Sequence, residues 1–234
     1  MQPPYFINHT SDVKFQDRRA AGKKLAVALS HLTKEKPLIL ALPRGGVEVA
    51  FEVAEMLGAP MTVLVVRKIG APTNPEFGVG AVAENNVVIL DKEKLKRMDI
   101  SQKSIEEEKK SAKMELERRI LVYRNGALLS NFSGHTVILI DDGLATGMTA
   151  MAAIESIKKL HPTKIVFAAP VCAYETAQLI KIQVQEFVCL LSPWELSAVG
   201  FYYKNFRQTS DEKVLKLLQK HNDIFLKNVT KYLH

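Results

Sequence analysis

Five stretches of this chain carry their apolar residues in continuous rather than alternating runs: residues 37–42, 61–66, 136–140, 164–169 and 186–191. A strand with one face in water alternates apolar and polar side chains, so continuous runs of this length point to strands covered on both faces. Between them, residues 47–57, 148–160 and 174–181 carry helical spacing, and residues 16–32 supply an amphipathic helix ahead of the first run. Strands buried on both sides and separated by helices belong in a parallel sheet. The expected class is α/β, doubly wound, with a mainly parallel sheet of about five strands.

A chain of 234 residues buries enough surface to hold a core without a disulfide or metal staple. Its two cysteines, Cys172 and Cys189, sit in apolar runs and form no C-x-x-C pair, which reads as small buried residues in a reducing compartment and excludes a structural zinc site. Two segments interrupt the alternation. Residues 79–90 read as a short hairpin around Glu84, Asn85 and Asn86, and residues 91–123 as a highly charged inserted helix whose cations and carboxylates recur at i to i+3 or i+4. After the fifth run the chain turns aromatic (Trp194, Phe201, Tyr202, Tyr203, Phe206) and ends in a helical tail over 210–234. No repeat or Gly/Ser linker divides it, so a single domain over 1–234 is expected. No apolar stretch approaches membrane-spanning length and residues 1–10 lack the pattern of a leader, which predicts a soluble, cytoplasmic protein with no membrane partner. The formal net charge of +7 favours anionic partners but does not separate nucleic acid from a phosphorylated small molecule.

The chemistry is concentrated where the third run ends: Ile140 is followed by Asp141, Asp142, Gly143, Leu144, Ala145, Thr146, Gly147, Met148 and Thr149. A short Gly/Thr loop opening into a helix makes an anion site from main-chain N–H groups and the helix dipole, with Thr146 and Thr149 adding hydroxyl donors. Two adjacent carboxylates in front of such a cradle would repel bare phosphate. They suit vicinal sugar hydroxyls, which makes the expected ligand a phosphorylated ribose. No lysine follows the glycines, so the loop is not a P-loop. A second strand–turn–helix carries Pro43, Arg44, Gly45 and Gly46, a forked cation beside glycines that let main-chain donors converge on one anion. A third strand ends in Arg67 and Lys68 and runs into a Gly/Pro-rich segment through Gly80, the composition of a mobile loop.

The 137–149 run resembles the phosphoribosyl-diphosphate (PRPP) signature of type I phosphoribosyltransferases. That resemblance implies that Asp141 and Asp142 bind the ribose 2′- and 3′-hydroxyls, and that Gly143, Leu144, Ala145, Thr146, Gly147, Met148 and Thr149 hold the 5′-phosphate. It makes Arg44, Gly45 and Gly46 the pyrophosphate loop, often with a non-proline cis peptide beside Arg44, and Arg67 and Lys68 pyrophosphate contacts at the start of a closing loop in which Glu76 could assist proton transfer. Further patterns, Asp17, Arg18, Ala21, Gly22, Leu25, Ala26 and Phe201, Tyr202, Phe206, Gln208, Asp211, Glu212, resemble the stand-alone bacterial group of that family.

The resemblance implies a pentosyltransferase that uses PRPP and Mg²⁺, the metal carried mainly by PRPP and water. A 5-phosphoribosyl group passes to a nitrogenous acceptor such as a nucleobase in nucleotide salvage. Segment 192–209 becomes the family's variable hood, with Trp194, Phe201 and Tyr202 as candidates for stacking on a flat acceptor. A homodimer without nucleic acid is implied. The competing reading is a PRPP-binding regulator acting on nucleic acid without catalysis. No nucleic-acid-binding module precedes the core, and steep salt dependence of binding would distinguish it.

Overall fold

The computed structural model describes residues 14–231, apart from the side chains of Glu76 and residues 226–231; residues 1–10, expected to carry no leader, and the last residues of the tail lie outside it. Along the chain the elements are α1 (Arg18–Ala28), a 3-10 turn (Ser30–Glu35), β1 (Leu38–Ala41), α2 (Gly45–Leu57), β2 (Met61–Val63), β3 (Val66–Ala71), β4 (Asn74–Ala83), β5 (Val87–Leu90), α3 (Lys92–Arg97) and α4 (Gln102–Arg124). They continue with β6 (Thr136–Ile140), α5 (Met148–Lys158), β7 (Lys164–Val171), α6 (Tyr174–Lys181), β8 (Glu186–Leu191), a second 3-10 turn (Val199–Tyr202) and α7 (Asp211–Lys231). These elements fall into two compact units, one of residues up to 63 with 132–146 and 162 onward, the other of residues 64–131 with 147–161.

The first unit holds a five-stranded sheet in the order β2-β1-β6-β7-β8, with every neighbouring pair parallel. The continuous apolar runs form it as expected: Ile39, Leu40, Ile138, Leu139, Ile140 and Phe167 are fully buried, each such side chain contributing about 1.5–3 kcal/mol relative to exposure. α1 begins at a true cap, the Asp17 carboxylate accepting the Ala20 N–H at 2.8 Å. It lies directly on α2, where a Cβ on Gly22 would stand 2.7 Å from the Val49 carbonyl oxygen. α7 buries Val214, Leu218 and His221, and the His221 Nδ1 pairs with Glu55 of α2 at 2.8 Å.

The second unit carries a three-stranded antiparallel sheet, β3-β4-β5. Two expectations are corrected here. The run 61–66 is not one strand: Met61–Val63 pairs with β1, while Val66 already opens β3. Between them the Val65 N–H donates to the buried Glu84 carboxylate at 2.7 Å, taking that donor away from any strand partner. Nor is segment 68–80 an open loop, since β3 and β4 form a hairpin across it. Its glycines serve close approach: a Cβ on Gly70 would stand 2.3 Å from the Pro75 carbonyl oxygen, beside a register shift after Ile69.

The hairpin around residues 84–86 is present, with Asn85 and Asn86 both left-handed (φ 59° and 55°), as short polar side chains tolerate. The Asn85 side-chain amide donates to Ser156 Oγ of α5 at 3.0 Å. Burial pushes the Glu84 carboxyl up, against the Val65 N–H and Arg124, which favour its charge. The charged run is two helices, α3 and α4, parted at Asp99 (φ 50°) and restarted by Ser101, which caps Ser104 N–H at 3.2 Å. Its side-chain pairs include Lys109 with Glu106 and Arg118 with Glu115, both at 2.7 Å. Exposed pairs of this kind add only about 0.2–1 kcal/mol each.

Candidate active site

Strand order places the chemistry. From β1 the first unit grows one way to β2 and the other way through β6 to β8, so the winding reverses between β1 and β6. In open α/β sheets the crevice beyond the carboxyl ends of two such strands is where ligands bind. β1 runs there into Arg44, Gly45 and Gly46, and β6 into Asp141 and Asp142, with Ala41 and Ile140 in register. The two motifs singled out in the sequence thus meet side by side.

The approach is close. The Leu42 N–H donates to the Ile140 carbonyl at 2.8 Å, and a Cβ on Gly45 would lie 1.9 Å from Asp142 Oδ2 and 2.7 Å from Arg18 Nε. Glycine is required there by contact with the acidic pair. The peptide bond between Pro43 and Arg44 is cis, as the resemblance implies. Arg44 itself stands at the N-cap of α2, whose first turn no side chain caps, so its leading N–H groups form an uncapped helix end beside half-exposed Arg44.

Asp141 and Asp142 are asymmetric. The Asp141 Oδ1 accepts the Asp142 N–H at 2.8 Å, whereas the Asp142 Oδ2 accepts Arg18 Nε at 2.6 Å. Arg18 and Asp142 are themselves largely covered, with side-chain exposures of 8% and 17%. Burial first, then the neighbouring Asp142 charge, pushes the Asp141 carboxyl well above its ordinary range. Burial raises Asp142 as well, but Arg18 pulls against it. Of the two, Asp141 is thus the harder to ionise, while Arg18 favours the charge on Asp142.

The sign of the pH dependence follows. A carboxyl whose folded midpoint lies above its unfolded one binds its proton more tightly when folded, so its contribution falls as pH rises from about 4 through the raised midpoint. Asp141→Asn, whose amide oxygen can still accept the Asp142 N–H, is expected to raise ligand-free stability near pH 7.5 by about 1 kcal/mol, or about 2–4 °C in Tm. It should also flatten the decline above pH 4. Urea unfolding at pH 4.5 and 7.5 checks this, and parallel pH slopes for both proteins would refute it.

The loop after Asp142 is pinned from below. The Leu144 N–H donates to Val171 O, and the Ala173 N–H to Leu144 O, both at 2.8 Å, while Thr176 Oγ1 of α6 donates to Ala145 O at 2.6 Å. Leu144 is buried and its N–H is committed to Val171, which anchors the loop. Gly143, Ala145 and Thr146 complete the loop's share of the first unit. Gly147, Met148 and Thr149 belong to the second, where Gly147 takes the left-handed conformation (φ 76°) that starts α5 without a side-chain cap. Arg67 and Lys68 also lie in the second unit. As successive residues of β3 they stand on opposite faces of its sheet, Arg67 exposed and Lys68 half-buried.

Sequence reasoning missed the partners of Asp142. Besides Arg18, the Tyr203 hydroxyl donates to the Asp142 main-chain oxygen at 2.6 Å, and Val199 presses on Gly143, where a Cβ would meet it at 2.3 Å. The Asp17-Arg18 pattern was visible, but nothing in it names Asp142. Of the hood aromatics, Trp194 (61% exposed) lies 3.8 Å from the Tyr174 ring between centroids, Phe201 is 62% exposed, and Tyr202 accepts the Phe15 N–H at its carbonyl. Burial drives the Cys172 thiol well up, away from the reactive thiolate. Among the described residues, no group of three or more His, Cys, Asp and Glu side chains could hold a metal ion, and no helix is long and apolar enough to cross a membrane.

The sequence profile of the phosphoribosyl transferase domain matches residues 15–205. A Mycobacterium tuberculosis H37Rv protein, provisionally named the phosphoribosyl transferase Rv0571c, is 38% identical over 210 residues, covering 89% of this chain and 47% of the relative. The corresponding protein of strain CDC 1551 matches equally. This chain thus spans about half the length of those curated relatives. The crystal structure of TT1426 from Thermus thermophilus superposes with a TM-score of 0.72 at 39% identity, over 89% of this chain and 99% of that one.

Proposed function

The chain belongs to the phosphoribosyl transferase domain family, and on that premise we propose that it transfers the 5-phosphoribosyl group of PRPP to a nitrogenous acceptor, with release of diphosphate. The acceptor class we favour is a nucleobase. The observation that carries this reading is the meeting of an adjacent carboxyl pair with an arginine-bearing glycine turn at the point where the sheet reverses its winding. Vicinal hydroxyls of a ribose match the first, and the phosphate oxygens of a leaving group match the second.

In this scheme Asp141 and Asp142 hold the ribose, Gly143, Ala145, Thr146, Gly147, Met148 and Thr149 cradle the 5′-phosphate, and Arg44, with Gly45 and Gly46 at the uncapped end of α2, meets the diphosphate. Lys68 and Arg67 are proposed as further diphosphate contacts. The donor set fits Mg²⁺ that arrives coordinated by diphosphate oxygens and water, because the acidic pair alone offers too few ligands for a resident ion. Bound in that way, Mg²⁺ would neutralise charge on the leaving group. Trp194, Phe201 and Tyr202 are the hood aromatics proposed to meet a flat acceptor, Trp194 and Phe201 being the more exposed, and single-domain organisation and a homodimer belong to the same proposal.

Phosphorus NMR of the protein with PRPP, Mg²⁺ and a pool of nucleobases, beside a sample without bases, tests it. Diphosphate released only with bases is the expected result, and fractionating the pool would then identify the acceptor. PRPP signals that neither broaden nor convert would overturn the reading.

A further inference from the structure

We infer that Arg18 is a positioning residue: it holds the Asp142 carboxylate in an ion pair and, with the same side chain, fastens the segment 199–207 onto that carboxylate. Its guanidinium donates from Nε to Asp142 Oδ2 at 2.6 Å and from Nη1 to the Arg207 carbonyl at 2.7 Å, and lies 3.7 Å from the centre of the Phe206 ring. One cation thus spans three partners from α1, the end of β6 and the hood. The fork of an arginine permits this and the single ammonium of a lysine does not.

Two more observations support the assignment. The side chain is enclosed, and the only room for its contact with Asp142 is the missing side chain of Gly45, where a Cβ would collide with both groups. The hood is sewn to the start of α1 in parallel: Phe15 N–H donates to Tyr202 O, Lys204 N–H to Phe15 O and Asn205 N–H to Gln16 O, at 2.8, 2.8 and 3.0 Å. Arg18 is the cation in direct contact with the Asp142 carboxylate. Asp141 adjoins it, Glu48 of α2 adds a like charge, and Tyr203 contributes a neutral hydroxyl. Without Arg18 the buried Asp142 carboxylate would lose its counter-charge, and the hood would lose one of its ties to the acidic pair.

The inference rests on the phosphoribosyl reading only in taking PRPP as the ligand. It is tested on the full chain with Arg18→Met and Arg18→Lys, by titration calorimetry with PRPP and Mg²⁺ and by amide hydrogen exchange without ligand. Arg18→Met is expected to weaken PRPP binding roughly 10–100-fold. Arg18→Lys, keeping the charge beside Asp142, should recover binding to within about fivefold, while both variants exchange faster over 199–207 than the wild type. A merely structural role would not separate recovery of affinity from loss of hood protection in the lysine variant. Wild-type affinity in Arg18→Met, or unchanged exchange over 199–207 in Arg18→Lys, overturns the inference. Should Arg18→Met fail to fold, the lysine variant alone decides. Should the wild type bind no PRPP, the substrate reading falls, and exchange over 199–207 then decides the role of Arg18 by itself.

Discussion

Replacing Asp141 and Asp142 together by asparagine is expected to lower kcat/KM for phosphoribosyl transfer by more than about a hundredfold, a loss of at least about 3 kcal/mol of transition-state stabilisation. Asparagine keeps the shape and one acceptor oxygen at each position but removes the charge that, in the proposed function, faces the ribose hydroxyls as the ribosyl centre becomes electron-deficient. Steady-state release of diphosphate from PRPP measures the effect. The double variant also leaves Arg18 buried without its counter-charge, so circular dichroism must accompany the assay. The Asp141→Asn single variant, which leaves the Arg18 pair intact, is the folded reference. Unchanged turnover in a folded double variant would remove the acidic pair from the site.

Gly45→Ala is the second large effect. The added methyl would stand 1.9 Å from Asp142 Oδ2 and 2.6 Å from its Cγ, well inside van der Waals contact. Asp142 cannot swing aside cheaply, because its carboxylate is held by Arg18 and its main-chain oxygen by Tyr203. Either the turn lifts off the end of β6 or the ion pair parts. We expect about 2–3 kcal/mol of lost stability, and PRPP binding weakened by more than about tenfold because the proposed ribose and diphosphate contacts would be displaced together. Thermal unfolding and calorimetric titration read the two effects separately. A variant with wild-type Tm and affinity would show that the close approach of the turn to Asp142 is not maintained in solution.

The sheet was legible because its evidence is local: a strand covered on both faces is apolar along its covered length, and residues 137–140, 165–169 and 187–191 obey that rule. The same rule misled at residues 61–66, where a continuous apolar run crosses from one sheet into another, since burial alone does not say which neighbour takes the hydrogen bonds. Glycine was ambiguous for a similar reason. Gly70 and Gly80 read as flexibility, yet they are glycines because backbone and side-chain atoms of neighbouring strands occupy the space. At the site, the acidic pair and the Arg44 turn were visible because their chemistry lies within a few consecutive residues. Arg18, Val199 and Tyr203 were not. Their meaning depends on contacts with Asp142 and Gly143 across long stretches of chain, which no spacing reveals.

Those long separations bear on how the protein comes into being on the ribosome. Arg18 reaches across 124 residues to Asp142 and across 189 to the Arg207 carbonyl. Loops of that length close late, and a chain emerges N-terminus first. The acidic pair is synthesised while the strand and hood segments that help to enclose it are still unmade, so the contact of Arg18 with the Arg207 carbonyl cannot form until residue 207 has left the exit tunnel. The enclosure of the acidic pair is thus among the last features the polypeptide can complete.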